Sequence, residues 1–136
     1  MARWLFKTEP GEYSFERLVR EGRARWDGVA NAVALKHLRA VKKGDAVLIY
    51  HTGDVKACVG LAKAVSDAYP DPAAGDPRIA VVDLAPDRAL ARPVTLAQVK
   101  ADARFARGDF ALVRIGRLSV MPVPDDLWDA LLAMAR

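Results

Sequence analysis

The sequence predicts an α+β fold, a small mixed β-barrel of about five strands flanked by short helices. Three observations predict it. Short β-rich runs are scattered through the 136 residues, helical periods appear only in brief segments, and the two do not alternate as parallel βαβ units require. No period repeats and no Gly/Ser-rich linker divides the chain, so residues 1–136 are read as one domain.

Trp4-Leu5-Phe6 reads as a first strand, stopped by the breaker cluster Thr8-Glu9-Pro10-Gly11. Ser14 can cap a short helix with Phe15, Leu18 and Val19 on its apolar side, closed by Gly22. Trp26-Asp27-Gly28 reads as a turn. Asn31 then caps a second helix reaching about Val41, on which Leu35, Leu38 and Val41 face inward. Ala46 to His51 and roughly Ala57 to Ala68 make a hairpin across Thr52-Gly53-Asp54. The segment from Tyr69 to Pro77 reads as an exposed loop, and Ile79 to Leu84 as a strand that Ala85-Pro86-Asp87 ends. Thr95 and Gln98 have capping-box spacing, with Val94 and Val99 as a hydrophobic staple. Arg117 to Met121 alternates like a strand. Asp125 and Asp126 open a closing helix packed through Leu127, Trp128, Leu131, Leu132 and Met134.

Composition narrows the function classes. Hydrophobic residues are 52% and charged residues 28%, which suits a folded soluble protein rather than a disordered one. No apolar run approaches the roughly 20 residues of a membrane-spanning helix. The opening segment is too short for a secretory signal, so the expected location is the cytoplasm. Cys58 is the only cysteine and lies in an apolar run, which makes it a buried structural thiol. With only His37 and His51 beside it, no metal site or other cofactor is expected. Residues 1–63 hold 12 Lys and Arg against 7 Asp and Glu, and residues 64–136 hold 9 against 10. The excess positive charge therefore lies in the first half, as a surface for an anionic partner or as solvated charge.

Several stretches, in order, carry a resemblance to a known family. They are Trp4-Leu5-Phe6-Lys7-Thr8-Glu9-Pro10, Trp26-Asp27-Gly28-Val29 followed by Asn31, and Gly44-Asp45-Ala46-Val47-Leu48-Ile49-Tyr50-His51. Gly60-Leu61-Ala62, Ala68-Tyr69-Pro70-Asp71 and Arg117-Leu118-Ser119-Val120-Met121-Pro122-Val123 follow. Together, over nearly the whole chain, they resemble the EVE family. The resemblance implies a PUA-like barrel whose cleft accepts an extruded nucleobase, a modified cytosine in DNA or a modified base in RNA, without chemistry on it. Such a pocket needs aromatic walls and a few fixed polar groups.

Trp26 is either a stacking wall or a core tryptophan beneath its turn; Val29 is placed in the same base site. Asn31 offers an amide to a base edge or caps its helix, and one position can do both. Tyr50, His51 and Thr52 end a strand at the cleft mouth. Alternation sends Tyr50 and His51 to opposite faces unless the strand bends, and His51 also reads as a structural imidazole. Lys7 and Thr8 could meet a phosphate or a base carbonyl, and Ser119 a ligand or a backbone group. Arg117 and the helical stripe Lys36, Arg39 and Lys43 are read as contacts to the phosphate backbone. Trp4 and Trp128 are assigned to the core.

The chain departs from the family pattern at Ala30, Ala32 and Val33, where Arg, Tyr and Gln are common, and at Met121, where Gln is frequent. The expected partner is nucleic acid, bound by a monomer and away from any membrane. A PUA-like enzyme acting on a nucleotide or RNA is the alternative, although no paired carboxylates, activated nucleophile or Gly-rich phosphate cradle stand out. A protein-interaction adaptor is the third reading.

Overall fold

Trp4, Leu5 and Phe6 form an unbroken apolar run because both faces of their strand are covered. In the computed structural model, which describes residues Met1–Arg136, β1 (Arg3–Thr8) lies between two partners. It pairs in parallel with β3 (Ala46–His51), with Lys7 opposite Tyr50 and Thr8 opposite His51. On its other side it runs antiparallel to the short β7 (Val120–Pro122). The hairpin across Thr52-Gly53-Asp54 forms as expected, joining β3 to β4 (Ala57–Ala64).

The sheet is longer than sequence alone suggests. β6 (Ala80–Thr95) runs for 16 residues through Pro86 and Pro93, whereas the sequence reading ends this strand before Pro86. The prolines are accommodated because the β4–β6 register slips at Leu61/Ala62 and at Cys58/Gly60. At the second slip Gly60 faces Ala89 while Cys58 already faces Val94, so Pro93 lies in an unpaired excursion that needs no ladder N–H. β6 also pairs with β2 (Ala24–Trp26) and with β5 (Tyr69–Pro70), inside a segment read from sequence as loop. The strand order is β2-β6-β4-β3-β1-β7, a mixed sheet curled into a half-barrel with seven strands rather than five.

Short helices complete the layers. Ser14 caps α1 (Phe15–Glu21) by accepting the Arg17 N–H, and Gly22 closes it at φ 74°. α1 buries Phe15 and Leu18 but leaves Val19 exposed, against the sequence reading. α2 (Ala32–Arg39) begins after Asn31 and stops at Arg39, two residues before the expected Val41. The Thr95/Gln98 capping box is present in full at α3 (Leu96–Ala101), with Val94 and Val99 buried beside it. A 3-10 turn (Ala103–Phe105) and α4 (Ala111–Arg114) follow, burying Phe105 and Phe110. α5 (Asp125–Met134) packs through Leu127, Trp128 and Leu131.

α1 lies tightly on the sheet. A Cβ added at Gly60 of β4 would stand 2.4 Å from the Phe15 ring, so only glycine permits this approach. Gly60→Ala is therefore expected to cost about 1–3 kcal/mol in urea unfolding, the usual penalty of overpacking. Combined with Phe15→Leu, the loss should be smaller than the sum of the two single changes. Simple additivity would show that the ring and the glycine do not meet.

Candidate functional site

β1, β2 and the turn between β1 and α1 enclose a cleft of about 390 Å³. Lys7 and Thr8 end β1 on one side, and Ser119, just before β7, stands next to them. The Lys7 backbone N–H donates to the Ser119 carbonyl (2.9 Å), which extends the β1–β7 pairing to the cleft edge. The Lys7 ammonium donates to the Gly116 carbonyl (3.0 Å) and lies 5.6 Å from the centre of the Tyr50 ring. Burial lowers the Lys7 pKa from its ordinary value.

Opposite stand Trp26, Asp27, Gly28 and Val29, continuing from β2. Trp26 is the last residue of a strand, paired with Val82, and not a turn residue as its Asp-Gly neighbours suggest. Its indole packs against Phe6 (5.7 Å between ring centres) and against Tyr13, edge to face at 82° (5.9 Å). Trp26 is only 8% exposed. It is therefore a core tryptophan whose remaining surface lines the cleft, rather than a free-standing stacking wall.

The third side is the turn that carries Glu9, Glu12 and Tyr13. The Thr8 hydroxyl donates to the Tyr13 carbonyl (2.7 Å), and a Glu9 carboxylate oxygen accepts from the Gly11 N–H (2.8 Å). The Tyr13 hydroxyl donates to Glu21 (2.7 Å), and the Arg17 guanidinium lies 4.9 Å from the Tyr13 ring centre. The phenol is pushed up to about 12, first by burial, then by its bond to Glu21 and that carboxylate's charge. The site thus combines two aromatic rings with both cationic and anionic groups, Arg25 included.

Five of the residues expected at the base site meet here: Lys7, Thr8, Trp26, Val29 and Ser119. Four others do not line the cleft. The Asn31 side chain is occupied by accepting the Val33 and Ala34 N–H groups as a helix cap. Tyr50 is buried beneath Lys7. Thr52 instead donates its backbone N–H to the Thr8 carbonyl (2.9 Å). His51 is also buried; its Nε2 accepts the Phe15 N–H (3.1 Å) at the start of α1, which makes it a structural imidazole. Tyr50 and His51 are both buried because β3 is covered on both faces; the extra residue at the Ile49/Tyr50 register shift, Val59, belongs to β4, and β3 runs straight beside β1.

The cationic residues separate. Lys36 and Arg39 share α2, but that helix ends before Lys43, whose backbone N–H donates to Asp67. The expected three-residue stripe is therefore broken. Arg117 lies exposed in the turn beside Gly116, outside the cleft lining. Sequence reasoning missed Tyr13, Glu9, Glu12, Arg25 and Asp27 as lining residues. The usable signal was the short spacing between the end of the first strand and the Ser14 cap, which forces that turn back over the strand end.

Cys58 is fully buried and its thiol is pushed up to about 12 by burial, so it remains protonated. No group of three or more His, Cys, Asp or Glu is placed to hold a metal ion. No helix is long and apolar enough to cross a membrane.

The chain is thus a mixed half-barrel with a partly aromatic cleft at the strand ends. The EVE domain model matches residues 2–134, and the chain belongs to that family. Mouse thymocyte nuclear protein 1 is 31% identical in an alignment that covers 96% of this chain and 72% of the mouse protein. The solution structure of Rpa0253 from Rhodopseudomonas palustris is similar at a TM-score of 0.92 and 39% identity, covering 99% of this chain and 93% of that one. The human THYN1 protein, crystallised in complex with DNA containing 5-methylcytosine, is similar at a TM-score of 0.89 and 28% identity, over 100% of this chain and 98% of that one.

The His51 bond makes stability pH-dependent. Burial lowers the His51 pKa below its ordinary value of 6.5, and the charges of Glu16 and Glu9 oppose this only in part. Because the unfolded chain binds the proton more readily, this contribution is full above pH 6.5 and is lost as pH falls towards the lowered folded value. Thermal unfolding between neutral and mildly acidic pH should show that loss. His51→Phe should be less stable at neutral pH by about 1–3 kcal/mol, having stranded the Phe15 N–H, and should lose less on acidification. Some slope should persist from His37, whose pKa burial also lowers. An identical slope in the variant would exclude His51 as its source.

Proposed function

We propose that this protein is a nucleic-acid reader that holds one extruded base, a modified cytosine in DNA or a modified base in RNA, without chemistry on it. The observation that carries the reading is the cleft itself. Tyr13 and Trp26 meet edge to face inside it, with Lys7, Thr8 and Ser119 on one side and Glu9, Glu12 and Asp27 around the rest. A flat heterocycle with a polar edge suits such a lining. About 390 Å³ falls within the range of small-ligand sites. The complex of the human relative with DNA containing 5-methylcytosine supports the same ligand class.

The chemistry within reach favours binding over catalysis. The buried Cys58 thiol is held protonated, and the His51 Nε2 is occupied by the Phe15 N–H. The cleft therefore presents no thiolate or imidazole to activate a nucleophile. Its cationic surroundings, Arg25 on β2 and the exposed Lys36, Arg39 and Arg117, suit a strand whose phosphates remain outside.

Oligonucleotides carrying cytosine, 5-methylcytosine or 5-hydroxymethylcytosine, compared by fluorescence anisotropy, test this. A buried methyl group contributes about 0.8 kcal/mol, roughly a fourfold preference for the methylated base. Tyr13→Ala should weaken binding about 5- to 150-fold, the range that 1–3 kcal/mol of stacking implies. Tyr13 is the better probe because truncating the buried Trp26 would also damage the core. Equal affinity for all three bases, unaltered by Tyr13→Ala, would dismiss the cleft as a base site.

A further inference from the structure

A second hollow, of about 490 Å³, lies beyond the segment that closes the cleft. Consecutive residues separate the two, since Val29 lines the cleft and Ala30 lines the second hollow. Ala30, Ala32 and Leu35 contribute from the α2 side, and Pro77 and Ile79 from the segment before β6. Arg39 and Arg78 supply two guanidinium groups. The small side chains at Ala30 and Ala32 leave the groove open, and both positions are exposed.

We infer that this groove takes the sugar–phosphate of the nucleotide adjoining the extruded base. The sugar's apolar face lies against the alanine, proline and isoleucine floor, and its phosphate meets Arg39 and Arg78. The inference rests on the reading of the cleft as a base site. Arg39 spends one donor on the Arg78 carbonyl (3.0 Å), a bond that ties α2 to the 76–79 segment and leaves its other N–H groups for a ligand. Arg78 turns its Nε and Nη2 to Asp76 (3.2 and 3.0 Å) and retains Nη1. Hydrogen bonds from Arg78 hold the Asp76 carboxyl below its ordinary pKa, so a negative charge persists beside the proposed phosphate. Arg39 is thus the principal anchor, and Asp76 opposes it. A protein partner fits less well, since the groove has none of the aromatic sockets on which such interfaces concentrate.

Two measurements separate this groove from the cleft. The first is anisotropy of an oligonucleotide carrying one 5-methylcytosine, between about 50 and 200 mM salt. The double variant Arg39→Gln/Arg78→Gln should bind it several-fold more weakly, with a salt slope shallower by about 0.7–0.9, the loss of one phosphate contact. Asp76→Asn should move affinity the other way. Ala32→Glu, a carboxylate at the exposed first position of α2, suits the helix but should repel the strand. The second measurement is a chemical-shift titration with the nucleoside 5-methyl-2′-deoxycytidine, which has no phosphate. It should be the same for all these variants and the parent. If the arginine variant keeps the parent's oligonucleotide affinity and salt slope while the nucleoside still binds, the groove assignment is overturned and the cleft reading stands. If the nucleoside does not bind and Tyr13→Ala leaves oligonucleotide binding unchanged, the cleft reading fails and takes the groove with it.

Discussion

The buried carboxylate of Asp45 holds the start of β3 against the start of β1 and so helps set the one parallel pairing in the sheet. One oxygen accepts the Ala2 N–H (3.0 Å); the other accepts the Trp4 indole N–H and the Lys42 N–H (both 2.9 Å). A carboxylate enclosed this way would cost several kcal/mol without donors, so its three N–H partners act as a register lock. A slip of one residue between these strands would turn every side chain to the other face. Lys7 would leave Tyr50, Thr8 would leave His51, and the strand end could no longer form one side of the cleft.

The opposite end of β1 is controlled by the docking of α1. The Phe15 ring takes the space that Gly60 leaves vacant, while the Phe15 N–H finds the His51 imidazole on β3. Between Thr8 and Phe15 the chain has little freedom, since the Thr8 hydroxyl also holds the Tyr13 carbonyl. Tyr13 is therefore brought against Trp26 by contacts on either side of it. The cleft is a by-product of packing on two strands and one helix, which explains why its walls are both structural and accessible. Trp26 shows this most clearly, being shared between the core and the lining.

The parts of this molecule that were legible in its sequence are those encoded by neighbouring residues. The Thr95/Gln98 capping box, the Ser14 and Asn31 caps and the Thr52-Gly53-Asp54 hairpin link are all local, and all are present. Long-range pairing was hidden. Pro86 and Pro93 are ordinary strand breakers, and only the two register slips opposite them allow β6 to run on. Likewise β2 and β5 are too short to show a period and exist because β6 offers them an edge. At the site, Lys7, Thr8, Trp26, Val29 and Ser119 were recognisable, as the motifs they belong to contain them. Glu9, Glu12 and Tyr13 were not, because a turn's direction depends on where the next helix docks. His51 and Tyr50 looked available at a strand end, but β3 is covered on both faces, so alternation buries one on each side.

The charges within the cleft divide the work that its ligand's parts would require. Glu9, Glu12 and Asp27 line the same hollow as Lys7 and Arg25, an unfavourable surrounding for a phosphate. A neutral base differs, because the exocyclic amine of cytosine is a donor that a carboxylate accepts. Phosphates are better met outside, where the excess of Lys and Arg in residues 1–63 includes the exposed Lys36 and Arg39 of α2. Exposed cations act over about a Debye length and draw a polyanion without specifying its orientation. On the proposed reading, the carboxylates in the hollow would discriminate by sign at short range, disfavouring the backbone while accepting a heterocycle edge. A uniformly basic cleft would attract the strand as strongly but would let a phosphate compete for the place of the base. A mixture of signs would therefore favour a base over the backbone of a polyanion.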